Sequence, residues 1–318
     1  PSRFRAGTFA LSTLLAEAMP AWRRLCALTG ATELLREDGH FVAWESPASA
    51  TTGRAHWLST DTGTATVRDA TPDEIATIAR LAPRTTIAGA VRFQGSGQVT
   101  DLAALAAALR AQLIASGGTI RQAVVDAIIL SGQTAQVRIG EALLDADSIV
   151  LCAGAASASL LRPMGVRIPL IAERGYHIQS AASHWPADMP PIAFEDRSMI
   201  VTRFVGGLRA ASFVEFAARH APPDPAKWAR LRQHVMELGL PFDLPGEPWM
   251  GARPTLPDYL PAIGRSHRAR NLIHAFGHQH LGLTLAAVTG EAVAALASGN
   301  TPAVNLAPFD PARFGDMT

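Results

Sequence analysis

The chain has 318 residues, 48% of them hydrophobic, and its 28 basic and 27 acidic side chains give a net charge of +1. A chain of this length and composition can bury one large core or two ordinary ones. Because the charges balance and the basic residues are scattered, nothing favours nucleic acid as a partner. Cys26 and Cys152 lie far apart in apolar stretches, which predicts buried thiols and neither a disulfide nor a metal site.

The sequence also bears on location. It contains no run of about 18 uncharged apolar residues, and its start lacks a basic region followed by an apolar one. We therefore expect a cytoplasmic protein, with peripheral attachment to the inner membrane left open. The chain begins with Pro1 and soon enters a predicted helix, so we expect it to be a fragment or a protein without its natural start.

Helical patterns dominate the first third. Apolar residues predict a helix over residues 8–28 with a kink at Pro20 and an end at Gly30. Thr71 to Glu74 form a capping box with proline in the first turn, which predicts a short helix after it. Another helix is predicted from Asp101 to the stop at residues 117–118.

The period then changes to that of strands. Three short runs rich in Val and Ile predict strands over Ile120 to Leu130, Gln136 to Ile139 and Ser148 to Cys152. The last run is uniformly apolar, which predicts burial on both faces. These elements belong to an α/β layer.

The second half predicts an antiparallel sheet followed by a return to the α/β layer. Residues 198–204 and 208–214 predict a hairpin around residues 205–207, and Asp224 with Pro225 predicts a helix start. Residues 271–276 predict a strand, residues 277–282 a glycine-bounded turn, and residues 283–296 a helix.

The turn from Gly277 to Thr284 is the first candidate site. A helix N-terminus offers unpaired amides and about half a positive charge, so it suits an electron-rich or anionic group. Spacing alone favours an ordinary strand-to-helix turn. The two histidines His278 and His280 favour a functional turn, because they are awkward for core packing.

The second candidate is Trp249 to Ser266 (WMGARPTLPDYLPAIGRS), whose prolines and glycines predict a rigid loop. Arg253 between Ala252 and Pro254 could hold a carboxylate with two hydrogen bonds. The alternative is an arginine that bridges loop carbonyls or pairs with Asp258.

The third candidate is Glu173 to His177 (ERGYH), which leads into a predicted strand. Tyr176 and His177 offer a hydroxyl and an imidazole. Because neighbours on a strand face opposite sides, at most one can point into a given pocket, and a structural role stays open for each.

Two further segments are distinctive, IVLCAGAAS at residues 149–157 and FGHQHLGLTL at residues 276–285. Together with the candidate segments above, they occur in an order and spacing that resemble the D-amino acid oxidase and dehydrogenase family of flavoproteins. This family includes glycine oxidase and sarcosine oxidase. The resemblance covers most of the chain from about Gly95 onward. The family's initial strand, G-x-G-x-x-G turn and acidic residue have no counterpart in this sequence.

The resemblance implies roles for individual residues. Arg253 matches the arginine of the G-x-R-P motif that holds the substrate carboxylate, His280 falls where some members have a second substrate-binding arginine, and Tyr176 falls where many have a pocket tyrosine, with His177 beside it. The residues matched to FAD contacts are Val125, Ala153, Gly154, Gly277, His278, Leu281, Gly282, Leu283 and Thr284. Val125 would touch the adenine, Ala153 and Gly154 the ribityl and diphosphate region, and the turn the flavin ring.

The implied fold is α/β (α+β): a three-layer FAD/NAD(P)-binding-like domain, truncated at its N-terminus, and a substrate domain with an antiparallel sheet. We expect residues 1–34, 98–167 and 264–318 to form the flavin domain without its first βαβ unit, and residues 35–97 and 168–263 to form the substrate domain.

The implied function is FAD-dependent oxidation of the C–N bond of a D-amino acid, a cyclic imino acid or another secondary amine to an imine, by hydride transfer, with oxygen or a quinone as the electron acceptor. Two alternatives stay open, an inactive fragment of the same fold and a protein that binds an amino acid without chemistry. No metal is expected.

Overall fold

The computed structural model describes residues 2–181 and 184–314. Its helices are α1 (Ser2–Ala16), α2 (Ala18–Thr29), α3 (Pro47–Ser59), α4 (Pro72–Leu81), α5 (Leu102–Ala115), α6 (Ser157–Leu161), α7 (Pro225–Leu238) and α8 (Gly282–Ala297). Its strands are β1 (Leu35–Arg36), β2 (His40–Trp44), β3 (Thr66–Asp69), β4 (Gly89–Gln94), β5 (Gln98–Val99), β6 (Ala127–Ser131), β7 (Thr134–Ile139), β8 (Ala142–Leu144), β9 (Ile149–Leu151), β10 (Ile171–Ser180), β11 (Ile192–Phe194), β12 (Met199–Phe204), β13 (Gly207–Phe216), β14 (Glu247–Thr255), β15 (Ala262–Arg265) and β16 (Leu272–Phe276).

An eight-stranded sheet in the order β14-β10-β13-β12-β11-β2-β4-β3 is the largest sheet. Its strands alternate their side chains between two faces. One face packs against α4 and α7 in a large apolar core. The other face is covered by α3 only around Val42, Trp44, Val91 and Phe93. The remainder of that second face, towards β10 and β14, lines a cavity.

The other half is an α/β layer. Strands β15, β16 and β9 form one sheet, in which β16 and β9 are parallel, and β6, β7 and β8 form another. Helices α1, α2 and α8 share a core with Leu105 of α5 and Ile263 of β15. Because parallel strands end at the same edge, the segment after β9 and the turn after β16 lie side by side.

Helix α8 is the one helix in the described part of the chain whose length and composition would allow a membrane span, counted as Gln279–Ala297. It carries Glu291, which pairs with Arg24 of α2 at 2.7 Å. Leu285 and Val288 are buried against α1 and α2. These contacts describe a core helix of this layer.

Most predicted elements are confirmed. The capping box on α4 is complete, with Thr71 accepting from the Glu74 amide and Glu74 accepting from the Thr71 amide. The hairpin of β12 and β13, the Asp224 cap on α7 and the sequence β16, turn, α8 are also present.

Two predictions near the N-terminus and in the α/β layer were wrong. The helix over residues 8–28 is two helices that break at Glu17, so that Pro20 falls in the first turn of α2, where its missing N–H costs nothing. The strand predicted from Ile120 begins only at Ala127, because its partner β7 ends at Ile139 and offers nothing to pair with earlier residues.

The predicted burial of β9 on both faces was wrong as well. Val150 is 39% exposed, because within residues 2–181 and 184–314 only the face with Ile149 and Leu151 is packed. Cys152, just beyond the strand, is exposed and not buried as predicted, whereas Cys26 is buried.

The segment from Trp249 to Ser266 is not a loop throughout. Its first part lies in β14 and its end in β15. Prolines are tolerated at positions 248 and 254 because β14 is the edge strand of the large sheet, where one side of the backbone needs no ladder partner.

Candidate active site

Strand β14 brings Arg253 to the turn that opens α8. The strand ends at Thr255, whose backbone forms an antiparallel bridge with His278. Two residues before that bridge, Arg253 pairs in register with Glu173 of β10. Arg253 and the glycine turn are two dozen positions apart in the sequence, and this bridge brings the end of β14 next to the turn.

The Arg253 side chain is held on one side and open on the other. Its Nη1 donates to Glu173 Oε1 at 3.4 Å and to the Phe213 carbonyl at 3.3 Å. The guanidinium lies directly over Gly175, where an added Cβ would stand 2.4 Å from Nη2. Among residues 2–181 and 184–314, Nε and Nη2 donate to no protein group, and the side chain is 30% exposed. This edge can accept a carboxylate with two hydrogen bonds.

The alternative pairing of Arg253 with Asp258 is wrong, because Asp258 pairs with Arg313 at 2.6 Å. The alternative of a carbonyl contact is realised in part through Phe213. That carbonyl reaches Arg253 because β13 bulges against β10 and Phe213 has a φ of 70°. A bulge and a left-handed non-glycine residue are unfavourable features that often mark functional sites.

His177 lies on the Arg253 face of the sheet. It pairs in register with Trp249, and their rings stack with centroids 4.8 Å apart. Burial and the nearby charge of Arg209 lower the pKa of His177 to about 4. The Trp249 ring lies over Gly251, where a Cβ would stand 2.0 Å from the ring. His177 and Trp249 thus form a neutral aromatic wall beside the guanidinium.

Tyr176 faces the other way, and its predicted place in the pocket was wrong. Its hydroxyl donates to Glu215 at 2.6 Å and accepts from Arg174 and from the Asp224 amide. The ring packs with Ile178 in the core beneath α7. The alternation of strand side chains separates it from His177, as the period of two requires.

The turn before α8 is shaped by glycine and by strained backbone. Gly277 has a φ of 83°, and a Cβ there would stand 2.7 Å from Leu256. Gln279 has a φ of 49°. His278 Nε2 and Thr289 Oγ1 are 3.0 Å apart, and burial lowers the pKa of His278 to about 4, so the ring is neutral near pH 7. This contact links the segment before α8 to Thr289 within the helix.

The N-terminus of α8 carries no side-chain cap. Leu283 and Thr284 are exposed, and Leu281 and Gly282 are half-buried. On the inner side, Trp22 Nε1 donates to the carbonyls of Leu283 and Thr284 at 3.0 and 3.1 Å. The first-turn amides are therefore held in place from behind and can donate to a group in front.

His280 is an exposed residue of the same turn. Partial burial lowers the pKa of His280 below its usual range, Glu173 opposes that shift and Arg253 adds to it. At neutral pH it contributes a polar group without a charge.

Ala153 and Gly154 follow β9 and lie at the same edge as Gly277. Ala153 is exposed, and Gly154 has a φ of 52° with nothing within 4 Å of an added Cβ. Val125 is 37% exposed and precedes β6. Its contact with an adenine stays a prediction, as do the FAD contacts of the other residues.

Sequence reasoning missed Glu173, Gly175 and Trp249. The signal was present, because Glu173, Gly175 and His177 stand at alternate positions of one strand and share a face. The interpretation of this segment rested on Tyr176 and His177 and left out Glu173, four positions before His177, and Gly175, two positions before it.

A cavity of about 810 Å³ extends from Arg253 past Phe213, Ala211 and Ile200 to His234. Its volume suits a small ligand.

Comparison with known proteins identifies the family and the fold. The family DAO, described as FAD dependent oxidoreductase, matches residues 2–296. A D-amino-acid oxidase of Bradyrhizobium diazoefficiens is 33% identical, over 98% of this chain and 75% of that protein. D-amino acid dehydrogenase 2 of Pseudomonas aeruginosa is 30% identical, over 93% of this chain and 70% of that protein.

Among solved structures, glycine oxidase from Geobacillus kaustophilus superposes with a TM-score of 0.75 at 22% identity, over 94% of this chain and 81% of that one. This likeness confirms the mixed α/β fold expected from the sequence. The family match also confirms the predicted dependence on FAD and the expectation of an enzyme that acts on amino acids. The chain belongs to the DAO family of FAD-dependent oxidoreductases.

Proposed function

We propose that this protein oxidises the C–N bond of a D-amino acid, or of a related cyclic or secondary amine, to an imine. The observation that carries the proposal is the open edge of Arg253 beside the uncapped start of α8. One feature suits a carboxylate and the other suits an electron-rich ring. Relatives named D-amino-acid oxidase and D-amino acid dehydrogenase support the choice of substrate.

The residues at this edge fit FAD. The exposed backbone of Leu283 and Thr284 offers amides at the positive end of a helix, and Gly154 faces open space. Gly282 has only the His278 Cβ, at 3.8 Å, near an added Cβ, so a planar group can approach it closely. When bound, FAD supplies the acceptor for a hydride.

The chain's own residues orient the substrate. Arg253 would bind the carboxylate through Nε and Nη2 and so direct the α-carbon towards the α8 turn. His177 and His280 would contact the substrate as neutral groups. The α-carbon loses its hydrogen as a hydride, the amine loses a proton to solvent, and water then converts the imine to a 2-oxo acid and ammonia.

The electron acceptor, oxygen or a quinone, and the cytoplasmic or peripheral location remain predictions.

The test is an Arg253→Gln variant, measured for both substrate and FAD. We expect kcat/KM for D-alanine to fall by about 30-fold or more, because a charge-assisted contact contributes about 2–5 kcal/mol. The dissociation constant for FAD should change little, since Arg253 lies outside the proposed ring contacts. Equal loss of FAD and substrate binding would contradict the assignment. Calorimetric binding of D-alanine without turnover in FAD-loaded wild-type protein would instead favour a binding protein.

A further inference from the structure

Glu173 is a buried acid directly behind the Arg253 guanidinium. Its side chain is 3% exposed, one oxygen lies 3.4 Å from Arg253 Nη1, and the other accepts from Thr255 Oγ1 at 2.9 Å. The register of β10 and β14 places both charged residues opposite each other on the cavity face. An acid with so little exposure is not itself a ligand contact, but its charge acts across the guanidinium.

The histidines around Arg253 are neutral near pH 7. Burial lowers the pKa values of His177 and His278 to about 4 and lowers that of His280 below its usual range. Arg209 lies beyond His177 along the same face, with its guanidinium held by Gln179. The carboxylate edge of the site therefore combines one positive charge with one negative charge behind it.

We propose that Glu173 determines substrate specificity by cancelling the charge of Arg253, so that the site accepts amino acids whose side chain is uncharged and rejects dicarboxylic ones. This inference rests on the proposed function, because it takes Arg253 as the carboxylate contact. One carboxylate gains enough from two hydrogen bonds to bind a site of zero net charge. A second carboxylate close to Arg253 meets the field of Glu173.

The neighbouring wall fits the same substrate class. Trp249 is 54% exposed, lies over Gly251 and stacks on neutral His177. A substrate held at Arg253 would place its side chain against this surface. An apolar side chain gains contact there, whereas a carboxylate would lose water without gaining a partner.

Two unreactive acids separate binding from turnover. Propionate has the carbon skeleton of alanine and glutarate that of glutamate, and both lack an amine to oxidise. Isothermal titration calorimetry on the FAD-loaded protein would measure both dissociation constants at low and moderate salt. The proposal expects wild-type protein to bind propionate more tightly than glutarate.

The decisive variant is Glu173→Gln, which keeps the shape and one accepting oxygen, places an NH2 that can donate to Thr255 Oγ1, and removes the charge. We expect it to bind propionate about tenfold more tightly, the effect of a unit charge about 6 Å away at an effective dielectric constant of about 40. Glutarate should gain more than propionate. A residue that only supports the fold gives the opposite result, weaker binding of both acids.

Two controls keep the charge. Glu173→Asp should retain the wild-type preference, and Thr255→Val, which removes only the hydroxyl that donates to Glu173, should retain it too. Should Glu173→Gln not fold, equal or tighter binding of glutarate by wild-type protein would still overturn the proposal. Unchanged or weakened propionate binding by a folded Glu173→Gln protein also overturns it.

Arg253→Gln distinguishes this failure from that of the proposed function. If that variant still binds propionate like wild type, Arg253 is not the carboxylate contact and the proposed function fails. If it loses propionate while Glu173→Gln gains nothing, only the specificity role of Glu173 fails.

Discussion

Gly175→Ala tests the position of the Arg253 guanidinium directly over Gly175. The added Cβ would stand 2.4 Å from Nη2 and 2.6 Å from Cζ, whereas ordinary contact begins at 3.4 Å. The guanidinium must therefore move by about 1 Å, which lengthens its contacts to Glu173 and the Phe213 carbonyl. A misplacement of this size at a positioning group costs about 100-fold in rate. We expect kcat/KM to fall by that factor.

The assay is steady-state oxidation of D-alanine with an artificial electron acceptor, alongside FAD titration. Gly206→Ala is the matched control, because Gly206 lies in the turn between β12 and β13 of the same sheet and its added Cβ would have only Gln179 within 4 Å, at 3.9 Å. FAD affinity should stay unchanged in both variants. A Gly175→Ala protein with kcat/KM within about threefold of the control would refute the placement of the guanidinium over this glycine.

Three further predictions concern residues that support the structure around the site. Gly277→Ala forces a left-handed residue against Leu256, so chemical denaturation should show a loss of about 1–3 kcal/mol, and an unchanged midpoint would contradict the strain. Trp22→Phe removes the donor to the first turn of α8 and should cost about 1–2 kcal/mol by the same measurement, with a loss below about 0.3 kcal/mol counting against that role. Burial lowers the pKa of His274 to about 4, so between pH 6.5 and 4 the unfolded state binds a proton that the folded state does not bind. Stability should fall with decreasing pH in that window, and His274→Phe should reduce the slope by about 1.4 kcal/mol per pH unit, whereas an identical slope would show that His274 titrates normally.

Local rules predicted the elements that depend on local chemistry. The Thr71 capping box, the Asp224 cap and the turn at Gly277 are each written in a few adjacent residues, and all three are present. The site residues Arg253 and His280 also came from short motifs. The pairing of the end of β14 with the turn before α8 required the family resemblance, because no spacing rule links these two segments.

Predictions failed where a partner far along the chain decides the outcome. Residues 248–255 contain two prolines and form a strand because β10 offers one side of its backbone for pairing. Tyr176 was placed in the pocket, yet the sheet turns it towards Glu215 and α7. The role of Glu173 depends on register with Arg253, which no local pattern reveals.

The most direct measurement is a crystal structure of the FAD-loaded protein with propionate bound. We expect the propionate carboxylate to accept hydrogen bonds from Arg253 Nε and Nη2, and the flavin ring edge to accept from the backbone amides of residues 282–284. A carboxylate bound away from Arg253, or a flavin ring bound away from the start of α8, would contradict the assignment of Arg253 and the start of α8 as the active site.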